Sequence, residues 1–409
     1  MAASRKDSRG YALRTGECQR KDGRYSFSYT DKNGKRHSIY EKDLMELRKR
    51  ERAIVRDIED GLDPQKAERI TLNQVYDAYM AQKYNLKETT KVNYIYTYDH
   101  FVRETFGKRR IATIKYTDIK TFYYSLMSDT GLKPATVENV HTQIHPALQM
   151  AVRDGLLRVN PSDGVMAEIK KSHIWVKEKR HSLTIPEQKA FMTFLCESTT
   201  YYGWKPIVTV LLGTGLRIGE ALGLTWADLD FKSRVIHVDH NLVHRKIDDS
   251  GVNVHINTPK TAAGTRTVPM IQQVYDAFLE EYQIQQITGF CQQEIDGYSG
   301  FVFTSSSGNV TLPQEVNKAI HSITADYNKQ EKAAAKKERR SPLLIPEFSA
   351  HHLRHTFCTR FCENESNLKV IQSVMGHSDI STTMDIYAEA TEEKKAEVIA
   401  KLEDKIFIM

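Results

Sequence analysis

Three stretches of the chain differ in the spacing of their apolar positions. Near the start, Tyr25, Phe27 and Tyr29 alternate with Ser26, Ser28 and Thr30, the period of two of a half-buried strand. Asn33-Gly34 follows, a pair that accepts the positive φ of a tight hairpin turn, and Lys35–Tyr40 reads as the returning strand. Gly10–Arg20 supplies a third strand. A charged helix is predicted from Asp43 to Asp60, with Leu44, Leu47, Ile54, Val55 and Ile58 inward and Gly61 as its stop.

From Thr71 to Pro161 the spacing becomes helical. Thr71 and Gln74 form a capping box ahead of Leu72, Val75, Tyr76, Tyr79 and Met80, which share one face. Further helices are predicted over Glu88–Phe106, ending at Gly107, over Thr117–Ser128, and over Ala135–Asp154 with a kink at Pro146. Tyr94, Tyr96, Tyr98, Tyr123 and Tyr124 read as core or groove wall rather than chemistry. Glu168–Ser182 has no clear period and is rich in Lys and Arg, the composition of a linker.

The third stretch mixes both periods. Helices are predicted over Pro186–Cys196 (capped by Thr184), Lys205–Leu212 and Ile218–Leu222, and strands over Val235–Leu242, Val252–Ile256 and Arg266–Pro269. Helices return from Gln272, with one more strand at Phe301–Thr304 and a solvated helix or loop at Lys329–Arg340. The expected fold is therefore multi-domain and mainly α with α+β parts. It comprises a three-stranded β-sheet plus helix over 1–66, a helical domain over 71–166, a basic linker over 167–182 and an α+β domain over 183–409.

Composition removes several classes. No apolar run approaches the ~18 residues of a membrane span, and the start lacks the apolar stretch of a signal peptide, so a cytoplasmic location is expected. Five scattered cysteines do not make a disulfide framework. The net charge of +6 is unevenly spread: residues 1–50 hold 14 Lys/Arg against 7 Asp/Glu, and the remaining residues sum to −1. A polyanion-binding N-terminal module on a nearly neutral body is expected. Arg20, Lys21, Arg24, Lys32, Lys35 and Arg36 crowd the hairpin, where a small sheet can enter a DNA groove; a merely soluble hairpin is the plain alternative. Lys108, Arg109 and Arg110 lie in an inter-helix loop, and Lys177, Lys179 and Arg180 in the linker, where they can follow phosphates.

Four words in the third stretch suggest chemistry. Gly213-Thr-Gly-Leu-Arg217-Ile-Gly-Glu220 sets an arginine at a helix start, and Thr258-Pro-Lys260 sets a lysine between two strands. His351-His-Leu-Arg354 places a histidine and an arginine on one helix face, and Gly376-His377 precedes Tyr387 by ten residues. Together they suit metal-free attack on a phosphodiester. Arg217 and Arg354 would neutralise the non-bridging oxygens bidentately, and Lys260 would protonate the leaving 5′-oxygen. His351 and His377 would hold the phosphate or assist proton transfer, and Tyr387 would attack to give a 3′-phosphotyrosine. Neither metal nor other cofactor is then required.

In that order and wording, Arg217, Lys260, His351, Arg354, His377 and Tyr387 resemble the tyrosine recombinase (integrase) family, above all the integrases of conjugative transposons. The resemblance spans the chain, including an N-terminal segment around Arg14-Thr-Gly-Glu-Cys-Gln-Arg-Lys-Asp-Gly-Arg-Tyr25. It implies an arm-type DNA-binding module, a core-binding domain and a catalytic domain. A homotetramer would synapse two double-stranded DNA sites, at the element ends and in target DNA, and exchange strands through a Holliday junction. It further implies a bacterial, nucleoid-associated protein served by an excision factor and a host DNA-bending protein.

Other readings compete. A type IB topoisomerase uses similar groups but needs no arm-binding module; a non-catalytic DNA-binding protein could share the fold; a metal-dependent transposase could draw on the 52 acidic residues. Glu220 reads as a structural partner of Arg217, and Asp228 and Asp230 as turn caps. His355, Cys358 and Cys362 share a helical face that zinc could use, though buried cysteines with a packing histidine are the commoner arrangement. His255 has no evident partner. The apolar end Ile406–Met409 is expected to dock on a neighbouring protomer.

Overall fold

In the computed structural model the alternating segment is strand β2 (Tyr25–Thr30), antiparallel to both β1 (Glu17–Gln19) and β3 (Arg36–Glu41). The register sets Phe27 opposite Ile39, so Tyr25, Phe27 and Ile39 meet Leu44 and Leu47 of helix α1 (Leu44–Glu59) in a small core. Asp43 caps α1 by accepting from the backbone amides of Met45 and Glu46. Val55, expected inward, is exposed, because so small a sheet covers only the first turns of the helix. Buried Glu17 on β1 holds the guanidinium of Arg48 on α1 at 2.9 Å, tying sheet to helix. Ser26, Ser28 and Ser38 occupy the opposite face of the sheet, with the hydroxyls of Ser28 and Ser38 2.8 Å apart.

The structure describes residues 5–30, 34–173, 175, 182–248, 251–259 and 262–388, which form two units, Met1–Glu178 and Lys179–Met409. The rest of the first unit is helical: α2 (Pro64–Arg69), α3 (Leu72–Ala81), α4 (Glu88–Tyr98), α5 (Tyr116–Ser128), α6 (Pro134–Arg153) and α7 (Val165–Lys170). The Thr71–Gln74 capping box forms as predicted. Helix α4 widens into a π-turn at Asp99–Arg103 and stops before Gly107. A side chain at Gly107 would bring its Cβ within 2.0 Å of Asn73 Oδ1, so the stop is also a close approach. Tyr98 and Tyr123 are fully buried, Tyr98 stacked 3.5 Å from Tyr76, whereas Tyr96 is exposed. Helix α7 begins before and runs into the stretch that looked like linker; six residues are too few to show a period.

The second unit contains α8 (Ile185–Glu197), α9 (Lys205–Thr214) and α10 (Ile218–Gly223), then β4 (Leu229–Asp230), β5 (Val235–Val238), β6 (Asn241–Asp248), β7 (Gly251–Asn257) and β8 (Arg266–Pro269). Helices α11 (Gln272–Thr288), α12 (Pro313–Glu338), α13 (Ala350–Asn364) and α14 (Leu368–Met375) follow, and a last helical stretch covers 380–388. Strands β4, β5 and β8 form one antiparallel sheet, and β6 and β7 a separate hairpin.

Two strand expectations change. The run Val235–Leu242 is two strands belonging to different sheets, broken at Asp239-His240. Buried His240 fixes that corner, with Nδ1 2.5 Å from Asp239 and Nε2 2.7 Å from the Gly223 carbonyl. Phe301–Thr304 is not a strand: it makes isolated bridges to Thr225 and Val310, and its three apolar side chains fill the core from a loop. Lys329–Arg340 falls mostly within α12. Asp228 and Asp230 cap turns as expected, and His255 lies 3.5 Å from Asp296. Thr391–Leu402 and the apolar end lie outside the described residues. Among the described residues no helix is long and apolar enough to cross a membrane.

Candidate active site

The site is built on the turn between α9 and α10. Gly215 closes α9 at φ +65°, and a Cβ there would lie 2.4 Å from the Phe357 ring, so both the backbone and the space require glycine. The turn makes Arg217 the N-cap of α10. The Glu220 carboxylate three residues on accepts from the Arg217 amide at 2.9 Å and from its Nη1 at 2.7 Å. Arg217 Nη2 reaches the Gly376 carbonyl at 3.2 Å, and the side chain stays 44% exposed, open to an incoming group.

Glu220 serves more than one arginine. Arg266, at the start of β8, donates from Nη2 to Glu220 Oε2 at 2.9 Å, the oxygen that also takes the Arg217 amide, and sends Nε to the Val374 carbonyl at 2.8 Å. Burial would raise the Glu220 carboxyl, but Arg266 and then Arg217 outweigh it and hold the group at about 2. Sequence reasoning did not single out Arg266. It opens the predicted strand Arg266–Pro269, but its partner is 46 residues earlier, and no spacing rule reaches that far.

Arg354 is buried on α13. Its Nη1 donates to the Gly215 carbonyl and its Nη2 to the Met375 carbonyl, both at 2.6 Å. Burial, then the nearby Arg217, pulls its guanidinium down to about 9, so it remains charged at neutral pH. His377 is buried beside them with Nδ1 2.9 Å from Thr383 Oγ1. Burial and the positive field of Arg354, Arg217 and Arg266 push its imidazole down to about 4, so it is neutral at pH 7. Gly376, at φ +62°, leaves room for Arg266, whose Nη1 would stand 2.9 Å from a Cβ there.

The structure thus brings together Arg217, Arg354 and His377, joined by Glu220 and Arg266. His351 is exposed on the first turn of α13, one turn before Arg354. Its neighbour His352 instead caps the helix, where its Nδ1 accepts from the Ser349 amide at 3.1 Å. Tyr387 lies on the 380–388 helix and packs with Ile386 against Cys358, Cys362, Ile371 and Met375, which places it beside the helices carrying Arg354 and the approach to His377. Lys260 lies outside the described residues. Cys358 and Cys362 are both buried in this apolar cluster, packed with Ile371 and Met375. Among the described residues Asp228, Asp239 and His240 are grouped closely enough to hold a metal ion, but each already makes the structural bonds described above.

The proposed DNA contacts are mixed. Arg20, Lys21, Arg24, Lys35 and Arg36 are exposed; Arg24 forks onto Asp22 at 2.7 and 3.0 Å, and Arg20 stacks over the Tyr40 ring. Lys108 pairs with Glu104 at 2.6 Å and Arg109 with Asp118 at 2.9 Å, while Arg110 is exposed. Lys32, Lys177, Lys179 and Arg180 lie outside the described residues.

Residues 181–394 match the model of the phage integrase family, and residues 1–59 that of the DNA-binding domain of Tn916 integrase. The transposase from transposon Tn916 of Enterococcus faecalis is 32% identical over 96% of this chain and 95% of its own length. The chain belongs to the phage integrase family. A transposase from Tn1545 of Streptococcus pneumoniae is similar to the same extent, 32% identical over 95% of its length. Among solved structures, Tn1549 transposon integrase in complex with transposon right end DNA superposes with TM-score 0.70 at 30% identity, over 82% of this chain and all of that one. This integrase is accordingly a tyrosine recombinase, an enzyme of DNA cleavage and strand transfer.

Proposed function

We propose that this integrase inserts and excises a conjugative element by a Tyr387 relay. The observation that carries the reading is the convergence of Arg217, Arg354 and His377 on the Gly215 and Gly376 turns. Two guanidiniums would take the non-bridging oxygens of one scissile phosphate. Glu220 keeps Arg217 oriented and splits its own charge with Arg266, so the phosphate meets net positive charge. In the tautomer whose Nδ1 accepts the Thr383 hydroxyl, neutral His377 carries its proton on Nε2, a donor suited to a phosphate oxygen. His351, on the open side of α13, would take the hydroxyl proton of Tyr387 as its oxygen bonds to phosphorus. The 5′-oxygen leaves with a proton from Lys260. The resulting 3′-phosphotyrosine retains the bond energy, and attack by another strand's 5′-hydroxyl reverses the step and frees Tyr387.

Residues 1–66 would grip arm sites through the hairpin cations, and 71–166 would hold core sites through Lys108, Arg109 and Arg110, with the 167–182 linker along the phosphates. Four copies would synapse two duplexes and resolve a Holliday junction, helped by an excision factor and a host bending protein. The test is a nicked suicide substrate incubated with the protein in EDTA. A covalent protein–DNA band, and recombinant product when two sites are supplied, are expected. A band without exchange would point to topoisomerase-like strand passage, and no band would overturn the reading.

Arg217→Lys keeps the charge but loses the fork and the shared grip on Glu220. Single-turnover cleavage should slow about 10²-fold, while affinity for the core site changes little. Unchanged cleavage would remove Arg217 from the site.

A further inference from the structure

Between α9, α11 and α12 the second unit has a half-open pocket of about 610 Å³, and none of the residues proposed for strand transfer lines it. Tyr201, Trp204 and Phe303 form aromatic walls, and Ser305, Ser306 and Thr311 add hydroxyls. Glu281, only 8% exposed, also lines it. Its Oε1 accepts one long bond, 3.3 Å, from Gln285, whose amide is already shared with the Val302 carbonyl. Its Oε2 has no hydrogen bond among the described residues. No cation of the described residues balances the carboxyl. The charge that acts on it is Glu280, of like sign and itself engaged by Lys205 at 2.7 Å.

A carboxyl in so apolar a recess avoids the cost of an unpaired charge either by keeping its proton or by meeting a cation. Aromatic faces around the same space favour an ammonium with a short apolar stem. We propose that this cavity binds a small organic amine, its ammonium paired with Glu281 and its stem against Trp204 and Tyr201. Burial, eased by Gln285 and reinforced by Glu280, holds the Glu281 carboxyl up at about 7, so the site is charged and receptive above neutrality and loses its charge below it. The other charged groups near the site are Glu280 on α11, Lys205 on α9, and Glu315, Lys318 and Asp326 on α12, the last accepting the Tyr201 hydroxyl at 2.7 Å. Among the described residues Lys318 is the sole cation on the walls.

The probe is n-butylammonium, titrated calorimetrically into the full-length protein at pH 8, with n-butanol as the neutral equivalent. One saturable site is expected for the amine, and none for the alcohol. Glu281→Gln should weaken binding at least tenfold. Lowering the pH to 5.5 should do the same, since the amine, like lysine at about 10.4, stays charged throughout. Lys318→Met, a change at an exposed position of α12, should tighten binding about threefold by removing a like-charged neighbour of the bound ammonium. Absence of saturable binding at pH 8, equal affinity in Glu281→Gln, or weaker binding in Lys318→Met would overturn the proposal.

Discussion

Tyr387→Phe is expected to bind its DNA sites as the parent does and to form no covalent protein–DNA adduct. The change removes one oxygen and nothing else. The ring still packs against Cys358, Cys362, Ile371 and Met375, so the 380–388 helix keeps its seat. The contacts of the arginines with main-chain carbonyls and of His377 with Thr383 lie on other groups, and these residues should still grip the phosphate. What is lost is the atom that bonds to phosphorus, for which positioning cannot substitute. Gel-resolved adduct on the suicide substrate should fall by at least about 10⁴-fold, to background, with an unchanged thermal midpoint and an unchanged mobility shift on core DNA. An adduct persisting at a few per cent of parent would mean that another side chain attacks.

Glu220→Gln should damage both fold and chemistry. The carboxylate bridges Arg217 and Arg266, with Arg354 3.9 Å away, and its side chain is 8% exposed. Glutamine leaves these cations without their counter-charge, and breaking such a buried set typically costs about 3–5 kcal/mol. Urea unfolding should show that loss. Cleavage should slow at least about 10²-fold, because Arg217 loses the support that fixes its fork. Acidity provides an independent check. The group is held at about 2 in the folded state against its ordinary 4.5, so its contribution of roughly 3 kcal/mol is present above pH ~4.5. It should fade as pH falls from ~4.5 through ~2, and the mutant should lack that portion of the acid transition. A mutant as stable as the parent at pH 7 would contradict the bridging role.

Much of this was legible because it is local. The Tyr25–Thr30 alternation, the Thr71–Gln74 box and the Arg217–Glu220 spacing each refer to contacts within a few residues, where periodicity and capping rules apply. Arg217, Arg354 and His377 were recognisable from the words around them, and the structure adds that two carbonyl-bearing turns gather them. What stayed hidden is non-local. Arg266 is defined by a carboxylate on another element, and the corner at Asp239-His240 by a carbonyl at the end of α10. Phe301–Thr304 has the composition of a strand, but pairing needs neighbours, and it meets only isolated bridges. Val55 illustrates the remaining limit: helical spacing shows a candidate apolar face but not how far the partner surface extends.

The dispersal of the groups proposed to grip phosphate has a consequence for the cell. Arg217 and the Gly376 carbonyl that it touches are 159 residues apart, and the carboxylate that orients Arg217 also starts its helix. A nascent chain, a proteolytic fragment or a partly unfolded copy therefore carries no working blade. An enzyme of DNA cleavage assembled in this way acquires its cutting power only on completion of the fold, so quality control of folding also guards DNA against stray cuts.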